Sequence, residues 1–218
     1  MAQQTIVLSN GEIDELATVR QRVRAWGQAL VIAADNGVRF AGPLGLFPNI
    51  ILGDLDSLDP ELRALFDKDS VAVIQVPAEK DETDLELALL EAAHRGAEHI
   101  VILGAIGGRL DMTLSNVLLL THPDLLDVRV EVWAADQTLW IIRPPGGEVF
   151  GQPGDTLSLI PIGGDASGVT AYNLHYPLEN ETLAFGPTRG ISNVLTADHA
   201  HVNLADGLLL AVHTPGRA

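Results

Sequence analysis

The 218-residue chain carries 13 basic against 29 acidic residues, a net charge of −16, with 47% hydrophobic residues and no cysteine. A field of that sign repels polyanions, which argues against nucleic acid or an anionic membrane surface as partner. The lack of cysteine excludes disulfides, thiolate catalysis and cysteine-ligated zinc.

The N-terminal residues have neither the basic start nor the long apolar run of a secretory leader. No stretch reaches the ~18 uninterrupted apolar residues of a membrane span. The expectation is a soluble, cytoplasmic protein. Apolar runs rich in valine and isoleucine then recur at 5–8, 29–34, 49–52, 71–76 and 100–103. Continuous rather than alternating runs fit strands buried on both faces, as in a parallel sheet. Helical patterns lie between them. One covers 12–26, and Asp59-Pro60-Glu61 opens another with an N-cap acid and a first-turn proline. Thr83 to Glu86 has capping-box spacing and starts a helix that stops at Gly96. A last helix is expected over 114–121.

After runs at 128–133 and 138–143, Pro144-Pro145-Gly146-Gly147 reads as a turn and a boundary. Only short runs follow, at 156–160, 168–171, 182–185, 201–204 and 207–212, separated by turn clusters. The prediction is an open, mainly parallel α/β sheet domain over 1–143, followed by a smaller all-β sandwich or barrel over 144–218.

The strongest local feature is Gly53-Asp54-Leu55-Asp56-Ser57 at the end of a buried run. Two acids at i and i+2 on a turning backbone can share one hard cation such as Mg²⁺. Alone, they serve equally well as a solvated turn capping the next helix. Neighbouring runs end in similar groups: Asp35-Asn36-Gly37, then Lys80-Asp81-Glu82-Thr83-Asp84, then Gly107-Gly108-Arg109-Leu110-Asp111. Parallel strands deliver all of these to one rim, where open α/β sheets bind ligands. Metal ions with Lys80 and Arg109 would offset the mutual repulsion of Asp35, Asp54, Asp56, Asp81, Asp84 and Asp111 while gathering a polyphosphate. Gly104 to Gly108 reads either as a phosphate loop or as a turn needing positive φ. His199 and His201 alternate on one run and read as exposed edge histidines.

In order and spacing these motifs resemble thiamine pyrophosphokinases. The second half adds Gly168-Val169-Thr170, Leu174-His175-Tyr176-Pro177-Leu178 and Gly190-Ile191-Ser192-Asn193, similar to that family's thiamine-domain motifs in their bacterial form. Two positions depart from the family pattern: Asn36 stands where a second glycine is common, and Met112 where a histidine often follows the aspartate.

The resemblance implies transfer of the pyrophosphoryl group of ATP to the thiamine hydroxyl, giving thiamine diphosphate and AMP. On this reading Mg²⁺ is assigned to Asp54, Asp56 and Asp81, and catalytic roles to Lys80, Asp81, Asp84 and Arg109; any of the rim acids can serve as the base for the thiamine hydroxyl, and Asp81 is the one chosen. Nucleotide and thiamine contacts fall to Asp35, Asn36, Gly37, Ser57, Thr83, Gly107, Gly108, Asp111, Tyr176, Ser192 and Asn193. Tyr176 reads either as a stacking wall or as a residue of the β core. A homodimer with sites shared between subunits is implied as well. Two other readings fit part of the pattern. The run Asp54-Leu55-Asp56-Ser57 also resembles the nucleophile motif of haloacid dehalogenase-like, Mg-dependent phosphatases, although two strands precede it here. A non-catalytic thiamine- or nucleotide-binding protein would keep the pocket without turnover.

Overall fold

The computed structural model describes residues 3–54 and 71–216; Asp56, Ser57 and the helix expected at Asp59-Pro60-Glu61 lie outside them. The chain divides into two compact units, Met1–Ala135 and Asp136–Ala218.

In the first unit the apolar runs form β1 (Gln4–Leu8), β2 (Leu30–Ala34), β3 (Ile50–Gly53), β4 (Ala72–Gln75), β5 (His99–Leu103) and β6 (Arg129–Ala134). Every pairing among them is parallel, in the order β4-β3-β2-β1-β5-β6. Ile6, Val7, Leu8, Ile100, Val101, Ile102 and Leu103 are fully buried, because layers of side chains cover both faces of β1 and β5. One layer comes from α1 (Leu16–Trp26) and α2 (Ala41–Leu44), which add Val19, Val23, Ala41 and Leu44 to the Ile6, Leu8, Val101 and Leu103 face. Against β1, β2 and β3 packs α3 (Asp84–His94), burying Leu85, Ala88, Leu89 and Ala92. Each such buried leucine or isoleucine contributes about 1.5–3 kcal/mol. The last helix, α4 (Leu110–Leu118), begins four residues before its expected start and continues as a 3₁₀ turn over Leu119–Thr121.

The first helix starts at Leu16 rather than at residue 12. The backbone after β1 instead bonds to the backbone after β5: Ser9 N–H to the Leu103 carbonyl, Gly11 to Gly104 and Glu12 to Ile106, at 2.8–2.9 Å. These bonds hold residues 9–12 as a loop against the end of β5.

Beneath α1, Glu131 on β6 is 5% exposed. Its carboxylate accepts from Arg129 Nε at 2.8 Å and from the Trp133 indole at 2.9 Å, with the His99 imidazole 3.4 Å away. Arg22 of α1 covers the Trp133 ring at 4.2 Å and donates to the Ala135 carbonyl. Burial by itself pushes the Glu131 carboxyl up; His99, Trp133 and the Arg129 charge overcome it and hold the group at about 2. Because the folded value lies below the ordinary 4.5, the stabilisation is complete above that pH and is lost as pH falls towards 2. It amounts to about 3 kcal/mol. Urea melts at pH 5 and pH 2.5 should therefore show a smaller acid-induced loss for Glu131→Gln than for the parent chain; identical losses would remove Glu131 from the account.

In the second unit β7 (Gln137–Ile142), β8 (Gly146–Phe150), β9 (Thr156–Pro161), β10 (Ala166–Tyr172), β11 (Leu178–Leu183), β12 (Asn193–Val194), β13 (His199–Asn203) and β14 (Leu209–Thr214) pair antiparallel. The orders are β12-β9-β14-β7 and β11-β10-β13-β8. Leu157, Leu159, Leu209 and Ala211 of the one set share a core with Val149, Val169, Ala171, Leu183 and Val202 of the other, so the two sheets pack face to face. β7 pairs with β14 and so belongs to the second compact unit, Asp136–Ala218. His199 and His201 lie on β13, an interior strand of its sheet, and not on an edge. Asp155 ties the end of β14 down: its carboxylate accepts from Gln152 N–H at 2.8 Å and Gly216 N–H at 2.8 Å, and lies 2.9 Å from His213 Nε2.

Candidate active site

Parallel pairing sends the C-terminal ends of β1 to β5 to one edge of the first unit's sheet. The sequence places Asp35 after β2, Asp54 after β3, Lys80 and Asp81 after β4, and Gly107, Gly108 and Arg109 after β5. Register puts the first two side by side: Ala34 pairs with Leu52, and a Cβ at Gly53 would stand 3.1 Å from the Asp35 Cα. A larger residue at 53 would push the two strand ends apart.

The turn after β2 is a 3₁₀ segment, Asp35–Phe40, whose positive φ falls on Asp35 (47°) and not on Asn36. Aspartate tolerates that region, so the absence of the family's second glycine at 36 leaves this turn without strain. After β5, Gly104, Gly107 and Gly108 all have positive φ, at 72°, 98° and 69°. Both readings of this run point to the same backbone. The turn needs glycines, and its curvature leaves a hollow.

That hollow is a cavity of about 340 Å³ lined by Ser9, Asn10, Gly11, Glu12, Arg39, Ala105, Gly107, Gly108, Arg109, Met112 and Asn116. It lies between the loops that follow β1 and β5. In strand order this is where the chain's progression reverses, the position at which open α/β sheets bind ligands. Arg39 holds one wall, donating to the Asn10 side chain and, at 2.7 Å, to the Gly11 carbonyl. Met112, where the family often has histidine, lines the cavity with an apolar side chain.

Several expected ligand residues have partners within the protein. Lys80 Nζ is 3.0 Å from the Asp84 carboxylate and donates to the Pro77 carbonyl at 3.0 Å. The Thr83 hydroxyl accepts from Glu86 N–H at 3.2 Å, so it caps α3. Arg109 and Asp111 form a two-point pair at 3.1 and 2.5 Å while remaining largely exposed. The Arg109 side-chain hydrogen bond holds the Asp111 carboxyl below the usual carboxylate range, and Arg109 is raised by the same bond. Asp81 is exposed.

In the second unit Tyr176 is 58% exposed, so it belongs to the surface and not to the β core. Its ring meets His175 edge-on at 4.6 Å. Buried Asn193 accepts from the backbone N–H of Tyr176 at 3.0 Å and of Val194 at 3.0 Å, and donates to the Tyr176 carbonyl at 2.7 Å. Asn193 thus fixes the position of Tyr176. Ser192, exposed and at φ 56°, is held by a bond from its backbone N–H to the Ser158 hydroxyl at 3.0 Å.

Among the described residues no three His, Cys, Asp or Glu side chains come close enough to share a metal ion. Mg²⁺ does not need such a cage. It keeps several waters and binds through one or two carboxylates plus substrate phosphates. The adjacent strand ends carrying Asp35 and Asp54 supply hard oxygen donors of that kind, so the donor chemistry fits.

Sequence reasoning missed Ser9, Asn10, Gly11, Glu12, Arg39 and Asn116. Asn10-Gly11 lies one residue beyond the first apolar run, and this turn signal marks a ligand loop only once β1 is known to adjoin β5.

A six-stranded parallel unit with a glycine-lined cavity at its switch point and acids along the same rim defines an α/β enzyme that handles phosphorylated ligands. Comparison with known proteins narrows this. The family model for thiamin pyrophosphokinase, catalytic domain, matches residues 23–133, and that for thiamin pyrophosphokinase, vitamin B1 binding domain, matches residues 142–209. The chain is 31% identical over 188 residues to thiamine pyrophosphokinase from Bacillus subtilis, covering 85% of this chain and 87% of that one. The crystal structure of the Bacillus subtilis enzyme superimposes with a TM-score of 0.84 at 25% identity, over 98% of this chain and 99% of that one. Thiamin pyrophosphokinase from Geobacillus thermodenitrificans gives 0.82 at 27% identity, over 97% of each chain. The chain belongs to the thiamine pyrophosphokinase family and is a diphosphotransferase. Among the described residues no helix is long and apolar enough to cross a membrane.

Proposed function

We propose that the chain moves the pyrophosphoryl group of ATP to the hydroxyethyl oxygen of thiamine. The hydroxyl oxygen attacks the β-phosphorus, and the bond from that phosphorus to the α,β-bridging oxygen breaks. AMP leaves with the electron pair, and the hydroxyl proton passes to a rim carboxylate, assigned to Asp81. The observation that carries the reading is the cavity between the β1 and β5 loops, next in strand order to the acids after β2, β3 and β4. Phosphoryl transfer asks mainly for positioning and charge neutralisation, and such a rim supplies both.

Asp54 and Asp81, with Asp56 from outside the described residues, would hold Mg²⁺, which when bound spreads the charge developing on the phosphates. Lys80, already beside the rim through Asp84, and Arg109 at the cavity mouth would meet the triphosphate. Asp84 and Asp111 orient those two cations. The backbone turns at Asp35, Asn36, Gly37, Gly107 and Gly108 would approach the nucleotide, and Thr83 acts through its cap. Ser192 and Tyr176 would meet thiamine, with Asn193 positioning Tyr176.

Incubation with thiamine, ATP and MgCl₂ should yield thiamine diphosphate and AMP in equal amounts by chromatography. Thiamine-dependent ADP without AMP would overturn the reading, and orthophosphate release without thiamine would favour the phosphatase.

The homodimer is supported by Leu110, Leu114 and Leu118. Spaced i, i+4, i+8 along α4, they are 79%, 65% and 54% exposed. An apolar stripe of this kind marks an interaction surface. Leu114→Glu with Leu118→Glu should shift the chain from dimer to monomer in sedimentation, whereas an unchanged dimer would place the interface elsewhere. The sharing of sites between subunits has its own test. A verified mixture of Asp54→Asn and Ser192→Trp chains should regain roughly a quarter of parent activity, since half the dimers are mixed and each carries one undamaged site. No recovery would assign both groups to one chain.

A further inference from the structure

The rim groups explain the phosphates and the metal; they leave the floor of the switch-point cavity without a role. Asn116 of α4 lines that cavity and is 4% exposed. Its Nδ2 donates to the Ala105 carbonyl at 2.8 Å. A carbonyl only accepts, so this bond fixes which way the amide faces. The other end, Oδ1, is buried and has no hydrogen-bond partner. A buried acceptor left unpaired is costly, and native proteins seldom keep one without a use.

Oδ1 selects its partner by chemistry. It can only accept, so it requires an N–H or O–H donor. Phosphate oxygens at neutral pH are themselves acceptors, which rules the triphosphate out of this part of the cavity. The charged groups that suit phosphate, Arg39 and Arg109, line the same cavity, while Ser9, Ala105 and Met112 add a small polar and apolar surface beside Asn116. The nucleoside end of ATP carries the donors that are needed, namely the exocyclic amine of adenine and the ribose hydroxyls.

The geometry points to Asn116 as a specificity-determining residue for the phosphate donor: its Oδ1 accepts a hydrogen bond from the nucleoside, seated in the cavity between the β1 and β5 loops. This rests on the reading of the chain as an ATP-dependent pyrophosphokinase. Losing the donor on the ligand side, or the acceptor on the protein side, leaves a buried polar group unpaired, which is the situation that gives nucleotide sites their strongest discrimination.

Calorimetric titration with Mg²⁺ and no thiamine reads binding apart from turnover. The ligands are ATP, inosine triphosphate (which lacks the exocyclic amine), 2′-deoxy-ATP and 3′-deoxy-ATP. For the parent chain one analogue should bind about tenfold or more weakly than ATP, and its identity says whether the base or a ribose hydroxyl is the donor. Asn116→Ala should weaken ATP by a similar factor and should no longer distinguish that analogue from ATP. Three results overturn the inference: all analogues binding the parent chain like ATP, Asn116→Ala binding ATP as the parent chain does, or equal weakening of every ligand with the discrimination intact. If Asn116→Ala does not fold, Asn116→Ser takes its place, and the parent chain's analogue series decides by itself. A parent chain that makes thiamine diphosphate and AMP while showing one of those three results loses only this inference. A parent chain that makes neither loses the pyrophosphokinase reading.

Discussion

Asp54→Asn should leave a folded chain whose turnover of thiamine and ATP is lower by about 10²-fold or more, because a carboxylate holding a catalytic cation contributes several kcal/mol to the transition state. The substitution keeps the volume of the side chain and removes its charge. Asp54 follows β3 at a point where Gly53 packs against Asp35, so the backbone that delivers it is braced by the neighbouring strand end. A turn-capping role predicts something different: a lower melting temperature with turnover close to the parent's. Measuring kcat across a MgCl₂ titration beside a thermal melt separates the two. Near-parent kcat at limiting Mg²⁺ removes Asp54 from the metal site.

Strands β1, β2, β3 and β5 were legible because burial on both faces removes the need for alternation, and runs such as 100–103 are apolar without interruption; the run at 71–76 also forms a strand, but β4 lies at the sheet edge with Val73 54% exposed and is not buried on both faces. The α3 start was legible for a local reason, the Thr83 hydroxyl reaching Glu86 N–H. What failed was turn chemistry read without its tertiary partner. Gly146-Gly147 looks like the end of a domain, yet both residues belong to β8 and pair with β13. A Cβ at Gly146 would stand 2.1 Å from the Val202 carbonyl oxygen, so glycine is there for close approach across a ladder. Leu178-Glu179-Asn180 also reads as a turn, but it opens β11, and Asn180 at φ 53° lies where the β10–β11 register shifts. A bulge and a turn ask for the same residue types.

The site was legible to the same degree. Acids after successive strands could be read from one sequence, since parallel strands share an edge whatever their order. The cavity could not, because it depends on β1 lying beside β5, a pairing across about ninety residues that no local pattern encodes. Asn116 is the clearest case. Within the sequence it is one of four polar residues in α4, beside Asp111, Thr113 and Ser115; only the Ala105 carbonyl and the cavity beside it give its amide a direction.

Gly37 shows how a residue expected at a ligand is also a packing residue. Gly37→Ala should lower stability by about 3 kcal/mol, a fall in Tm of roughly 6–12 °C for a chain of this size. The cause is contact and not backbone conformation: the added Cβ would lie 2.2 Å from the Leu8 carbonyl oxygen, 2.7 Å from its carbon and 3.0 Å from the Ser9 carbon. All three are main-chain atoms. Leu8 is held between β2 and β5 through Ala33 and Leu103, so β1 has no room to retreat. The strain passes into Ser9 and the loop that lines the cavity, and the KM for ATP should rise together with the loss of Tm. A residue present only so that backbone can approach phosphate would respond otherwise, with KM raised and Tm unchanged. Thermal melts with and without ATP, set beside KM, therefore assign Gly37 to the β1–β2 contact if both quantities move and to the ligand alone if only KM does.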